Sequence, residues 1–189
     1  MSKRRVVVTG IGTINPLANN VENSWANLIS GKSGIDNITS FDTTNLPVKF
    51  AGEVKDFDAN DYMGKQHARK LDRSAHLSIF AAEQALLDAG LDTESRLGDE
   101  VGIVLGTGIG GIGATEDAVR IYDTRGPSRI NPLAITQLMP NSSTGQVAIR
   151  FGIEGPSLTI TTACAASANS VGEAKNLISL ARGKKLSPE

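Results

Sequence analysis

The residue best suited to nucleophilic chemistry in this chain is its only cysteine, Cys164. It sits in Ser157-Leu-Thr-Ile-Thr-Thr-Ala-Cys-Ala-Ala-Ser167, where β-favouring residues give way to a tight run of small ones. A thiol at the start of a helix faces unpaired backbone N–H groups and the positive end of the helix dipole, an environment that favours the thiolate. Such a nucleophile can hold an acyl group as a thioester. A lone cysteine among alanines is also a common small core residue, and its neighbours alone do not exclude inert packing. Placement decides between the two.

Pro156 opens an extended stretch in which Thr159, Ile160 and Thr161 favour a strand. Ala168, Val171, Ala174, Leu177, Ile178 and Ala181 then recur at helical spacing. Cys164 thus falls on a strand-to-helix turn, where nucleophiles are displayed. Upstream, strand-like and helical segments alternate, which reads as an α/β chain with a largely parallel sheet. A first strand is expected from Arg4 to Thr9, stopping at Gly10-Ile-Gly12, and a short helix from Val21 to Ile29 ending at Gly31. Gly34 to Tyr62, with the extended Val48-Lys-Phe-Ala51, reads as an excursion from the sheet. Arg69 to Ala89 has the spacing of one long amphipathic helix closed by Gly90. Val101 to Leu105 is a continuous apolar run of the kind buried parallel strands show. Helical stretches follow around Leu133 to Leu138 and Ser142 to Phe151.

With 189 residues and a formal charge of −1, the chain can bury one sizeable core, or form one large part of a bigger fold. A single cysteine excludes an internal disulfide framework and makes a reducing, cytoplasmic compartment the expectation. No apolar run approaches the ~20 residues of a membrane span, and the start lacks a signal peptide's apolar stretch, so no membrane partner is expected. The near-zero charge argues against a nucleic-acid partner.

Two glycine-rich spots invite a nucleotide-binding reading. Gly106-Thr-Gly108-Ile-Gly-Gly111 matches a dinucleotide fingerprint by letter, after a strand and before a helix. The acidic residue that should end a second strand about 20 positions on is replaced by the turns at Gly126-Pro127 and Asn131-Pro132. Gly31-Lys-Ser33 has Ala26 where a phosphate-binding loop needs its first glycine. The bland reading of Gly106 to Gly113 is a turn at the end of a central strand, where backbone approaches a ligand closely.

Val6-Val-Val-Thr-Gly-Ile-Gly12, Gly106-Thr-Gly-Ile-Gly-Gly111, Asn141-Ser-Ser, Phe151-Gly-Ile-Glu-Gly-Pro-Ser157 and Thr162-Ala-Cys-Ala-Ala166 together resemble the amino-terminal part of a β-ketoacyl-acyl-carrier-protein synthase of the type II elongating kind. The likeness runs in order and spacing from about Val6 to Glu173. It implies a thiolase-like layered α/β/α fold, represented by its first half only and lacking its later strands. It also implies a homodimer, no cofactor or metal, and decarboxylative condensation of an acyl thioester with a malonyl thioester in fatty acid synthesis. By the same resemblance Cys164 is the acyl-accepting nucleophile and its backbone N–H an oxyanion donor. Ile109 would line the acyl pocket and limit chain length, and Ala134 falls near a position that reaches across the dimer into the neighbour's pocket. Acyl carrier protein, an acidic helical domain, is the implied partner. Lys65, Arg69, Lys70, Arg73, Arg125 and Arg129 form a basic set that would steer it, although Asp72 interrupts the run and a solvated face is the plain alternative.

The chain departs from the family pattern in two places. The family's two catalytic histidines come from its second half, whereas this chain has only His67 and His76, in neither of the family's contexts. After Gly172-Glu-Ala174 the charged Ala181-Arg-Gly-Lys-Lys-Leu-Ser-Pro-Glu189 replaces the family's next strand. The resemblance therefore predicts an amino-terminal half over residues 1–174, a divergent, frayed tail over 175–189, and a truncated or frameshifted product. A chain-length-factor-like partner subunit is the alternative. Such partners replace the nucleophile, which Cys164 retains.

Overall fold

The structure is a computed structural model and describes residues 5–180. Local signals set many of its elements. Helix α1 (Val21–Ile29) begins where the Asn20 side chain accepts from the Asn23 amide, and Gly31 follows its end with φ 73°. The excursion is a small antiparallel hairpin, β1 (Ile35–Asn37) with β2 (Phe50–Gly52). Helices α2 (Ala59–Met63) and α3 (Lys65–Ala68) lead into α4 (Arg73–Asp88). Strand β3 (Ile103–Gly106) precedes α5 (Ile112–Arg125), a 3-10 turn at Pro127–Arg129, α6 (Ala134–Leu138) and α7 (Ser142–Phe151). Strand β4 (Ser157–Ile160), a 3-10 turn at Ala163–Ala165 and α8 (Ala166–Leu180) complete the described chain.

Two expectations need correction. Arg4 lies outside the described residues, and the stretch from Arg5 to Thr9 forms no ladder. A ladder needs a paired neighbour, and this segment has none among the described residues; the chain that follows it packs on the small-residue face of α4. A side chain at Gly10 would stand 2.2 Å from the Ala85 carbonyl, and one at Gly12 2.0 Å from that of Ala81. Second, the long helix expected from Arg69 starts only at Arg73, because the Asp72 carboxylate caps it by accepting from the Ser74 amide at 2.8 Å. Capping from a non-helical residue ends the preceding turn. The expected parallel arrangement is present: apart from the hairpin, the described sheet is one parallel pair, β3 with β4, in the register Ile103↔Ser157 to Gly106↔Ile160.

The core forms where α4 crosses α7. Leu71, Ala75 and Ile79 meet Val147 and Phe151, with Ile103 of β3 packed against them. The next residue along the strand, Val104, faces the other way and lines a cleft with Ala174, Leu177 and Ile178 of α8. Alternation along the strand thus builds three layers, helix, strand pair and helix. Residues 175–180, expected as the start of a frayed tail, continue α8, while 181–189 lie outside the described residues.

Candidate active site

The strand-to-helix turn around Cys164 forms as its residue types predict. Strand β4 is held at its end by the Thr107 amide, which donates to the Ile160 carbonyl at 3.0 Å. The chain then turns sharply through Ala163, whose φ of 48° lies in the left-handed region. A non-glycine residue there costs about 1–3 kcal/mol and persists only where its surroundings hold it. Two contacts do so. The Ala165 amide donates to the Thr162 carbonyl at 3.1 Å, and the Asn169 side chain donates to Thr162 Oγ1 at 2.7 Å. Cys164 itself is exposed on the 3-10 turn, not buried as a core cysteine would be.

The start of α8 rests directly on the end of β3. A Cβ at Gly106 would lie 2.4 Å from the carbonyl carbon and oxygen of Ala166, so only glycine allows this approach. The glycine-rich loop begins here. Thr107 Oγ1 accepts from the Gly110 amide at 3.0 Å, and Gly110 has φ 87°. Gly110 and Gly111 lie against the backbone of Pro140 and Gln137, so the loop seats on the segment joining α6 to α7. Ile109 at its tip is 63 % exposed.

Ala134 is buried at 6 % and lines a cleft of about 440 Å³ with Arg69, Arg73, Asn131 and Gln137. The structure therefore brings Ala134 together with two of the basic residues. Lys65 is on α3, Arg69 and Lys70 on the turn after it, and Arg73 on the first position of α4, all exposed. Arg73 is also engaged locally: it donates to the Phe57 carbonyl at 3.2 Å and its guanidinium lies 5.1 Å from the Phe57 ring centre. Arg125 ends α5 and Arg129 ends the Pro127–Arg129 turn, both exposed. Of the histidines, His67 is exposed on α3, and the His76 ring nitrogen Nε2 lies 2.9 Å from the Ala68 carbonyl, a packing role.

Sequence reasoning missed the roles of five polar residues at this end of the fold. Ser142, Ser143 and Thr144 are buried on the first turn of α7, where Thr144 Oγ1 meets Thr159 Oγ1 at 2.6 Å and ties α7 to β4. Ser142 Oγ is buried with no hydrogen-bond partner among the described residues. Gln137 is buried at 9 %, and Asp72 bridges two helices. The Asn-Ser-Ser-Thr run and an aspartate ahead of Arg-Ser-Ala-His were visible signals of helix starts. The burial of the serines and threonine, and the sequence-distant partners of Thr144 and Asp72, were not. Among the described residues no helix is long and apolar enough to cross a membrane, and no group of three or more His, Cys, Asp or Glu is placed to hold a metal ion.

Against known proteins, the beta-ketoacyl synthase, N-terminal domain, matches residues 3–183. The 3-oxoacyl-[acyl-carrier-protein] synthase 2 of Synechocystis sp. is 41 % identical over 178 residues, covering 94 % of this chain and 43 % of that protein. Its namesake from Vibrio cholerae is 42 % identical over the same shares. Among solved structures, the ishigamide ketosynthase/chain length factor matches with TM-score 0.83 at 29 % identity, over 94 % of this chain and 44 % of that one. A type II polyketide ketosynthase, AntDE, in complex with its acyl-carrier protein AntF and bound to the hexaketide, matches with TM-score 0.77 at 28 % identity, over 94 % and 48 %. The fold is that of the amino-terminal part of a thiolase-like ketosynthase. The chain spans less than half the length of the curated relatives it matches.

Proposed function

The chain belongs to the β-ketoacyl synthase family, and from that premise we propose that it carries the acyl-capturing part of a fatty-acyl-extending synthase, with Cys164 as the nucleophile. The Cys164 thiolate attacks the carbonyl carbon of an acyl thioester brought by acyl carrier protein. A new C–S bond forms, the carbonyl oxygen becomes an oxyanion, and collapse of that intermediate breaks the carrier's C–S bond and expels its thiolate, which takes up from solvent a proton matching the one the Cys164 thiol had released. The backbone N–H of Cys164 is one donor to the oxyanion, and a donor of this kind is typically worth about 2.7–4 kcal/mol. Ile109 bounds the acyl chain, and Ala134 leaves room beside a second copy in a homodimer. Lys65, Arg69, Lys70, Arg73, Arg125 and Arg129 steer the acidic carrier.

The observation that carries this reading is an exposed thiol on a braced turn between a central strand and a helix. The later decarboxylation of a malonyl thioester builds charge on an enolate and needs groups to stabilise it. His67 and His76, the two histidines of the chain, lie on α3 and α4, so we assign this chain acyl capture and not condensation. The test is incubation of the folded chain with acyl-loaded carrier protein, followed by peptide mass spectrometry. The expected result is an acyl adduct on Cys164 and none in Cys164→Ala. Folded protein without the adduct overturns the assignment.

A second reading, a non-catalytic partner of a ketosynthase, takes support from the likeness to the ketosynthase/chain length factor structure. Tight binding to an active ketosynthase without acylation of Cys164 would favour it.

A further inference from the structure

Asp72 interrupts the basic run in sequence, yet in space it is the knot that joins that run to the glycine-rich loop. One carboxylate oxygen, Oδ1, accepts from the Ser74 amide at 2.8 Å and from Ser74 Oγ at 2.7 Å, capping α4. The other, Oδ2, accepts from the Ala114 amide at 3.3 Å in the first turn of α5, 42 residues along the chain. The residue that should cap α5 is Gly111, which has no side chain to offer. Asp72 supplies the missing acceptor from another helix, so the start of α5 is registered to the start of α4. Ser74 Oγ in turn accepts from Ser143 Oγ at 3.3 Å, extending the link to α7.

A second tie runs parallel to the first. Gln137 Nε2 donates to the Arg69 carbonyl at 3.3 Å, and Gln137 Oε1 accepts from Asn131 Nδ2 at 3.2 Å. The backbone carbonyl of Gln137 lies against Gly111, where a Cβ would come within 2.0 Å of it. The turn bearing Arg69 and Lys70 is thus held at both ends to the elements that follow Ile109. Arg69 of this turn and Arg73 at the start of α4 line the same cleft as Gly113, Ala114 and Gln137.

From this geometry, and resting on the docking reading above, we propose that Asp72 is a positioning residue that registers the carrier-docking face against the glycine-rich loop and the turn that bears Cys164. A carrier bound to Arg69 and Arg73 holds its thioester at a fixed reach from that face. Transfer then depends on the distance from the face to the thiol, which Asp72 and Gln137 set through α5 and the loop. A thioester that diffuses in without a carrier does not use that distance. The two donors therefore separate positioning from general support of the fold.

The experiment uses Asp72→Asn and Asp72→Ser in the full chain, both good N-cap residues that preserve the start of α4 while withdrawing the acceptor from Ala114. Far-UV circular dichroism establishes that each variant is folded, and either one suffices if the other fails to fold. Acylation of Cys164 is timed with acyl carrier protein thioester and with a short carrier-free thioester of the same acyl group. The expected result is a loss of about fivefold or more from the carrier, since small misplacements of reacting groups are costly, with the carrier-free rate unchanged within about twofold. Carrier affinity should hold or rise, because a negative charge has left the basic face. Equal loss with both donors makes Asp72 a structural residue only and overturns the proposal, as does no loss with either. A wild-type chain acylated by the carrier-free donor but not by the carrier refutes the docking reading, and the inference with it.

Discussion

Replacing Gly106 with alanine should disturb the Cys164 turn from a residue that carries no chemistry. The added Cβ would stand 2.4 Å from the carbonyl carbon and oxygen of Ala166 and 2.7 Å from the Ser167 nitrogen, all backbone atoms. Ordinary carbon contacts begin near 3.5 Å, so α8 must retreat from β3 by roughly 1 Å. Backbone cannot swing aside as a side chain does, and overpacking of this kind costs about 1–3 kcal/mol. The displaced residues adjoin the turn that holds Cys164, and a misplacement of about 1 Å can cost up to a hundredfold in rate. Gly106→Ala should therefore lower the urea midpoint and slow acylation of Cys164 by about tenfold or more. Gly108→Ala is the control, since a Cβ there meets nothing within 4 Å. Assays use the soluble fraction, with its fold checked by circular dichroism. Should Gly106→Ala match Gly108→Ala in both stability and acylation rate, the close approach of α8 to β3 does not set the geometry of the thiol.

Charge reversal at Arg69 and Arg73 should weaken carrier-protein binding and flatten its salt dependence, measured by titration across ionic strengths; unchanged affinity and slope would make the face merely solvated. Glu53 accepts from the amides and hydroxyls of both Thr39 and Ser40, which lowers its pKa to about 2. Because the folded-state pKa is depressed, the support it lends the β1–β2 hairpin is complete above the ordinary glutamate value of about 4.3 and fades as pH falls through 2. Protection of the Thr39 and Ser40 amides, relative to their intrinsic exchange rates, should fall over that window in the wild type, and Glu53→Gln should abolish that change in protection; identical protection profiles would refute the staple. Finally, the isolated 189-residue chain should form no β-ketoacyl product from malonyl carrier protein and should self-associate on a sizing column. Both of its histidines lie on α3 and α4, and apolar side chains such as Val8, Val171 and Leu180 stand 76 %, 69 % and 74 % exposed. A monodisperse species that turns over malonyl substrate would overturn this expectation.

What the sequence determined by itself is the set of features made by residues a few positions apart. The helix at Val21–Ile29, the helix at Ser142–Phe151 and the strand, turn and helix around Cys164 all follow from caps, β-branched runs and periodicity. Those interactions close within one or two turns of chain, so their residue types and spacing suffice. Family membership was legible for a related reason, because the motifs that carry it are short and ordered along the chain. Tertiary structure alone decided the rest. Val6 to Thr9 has strand-forming residues but pairs with no strand among the described residues, since a strand exists only where a neighbour offers a ladder. The Asp72 bridge to Ala114, the Gln137 bond to Arg69 and the contact of Gly106 with Ala166 join residues 42, 68 and 60 positions apart. Nothing in local propensity encodes such a partner. It is chosen when β3, β4 and the helices on either side pack together, and only then does the acidic break in a basic run become the link between α4 and α5.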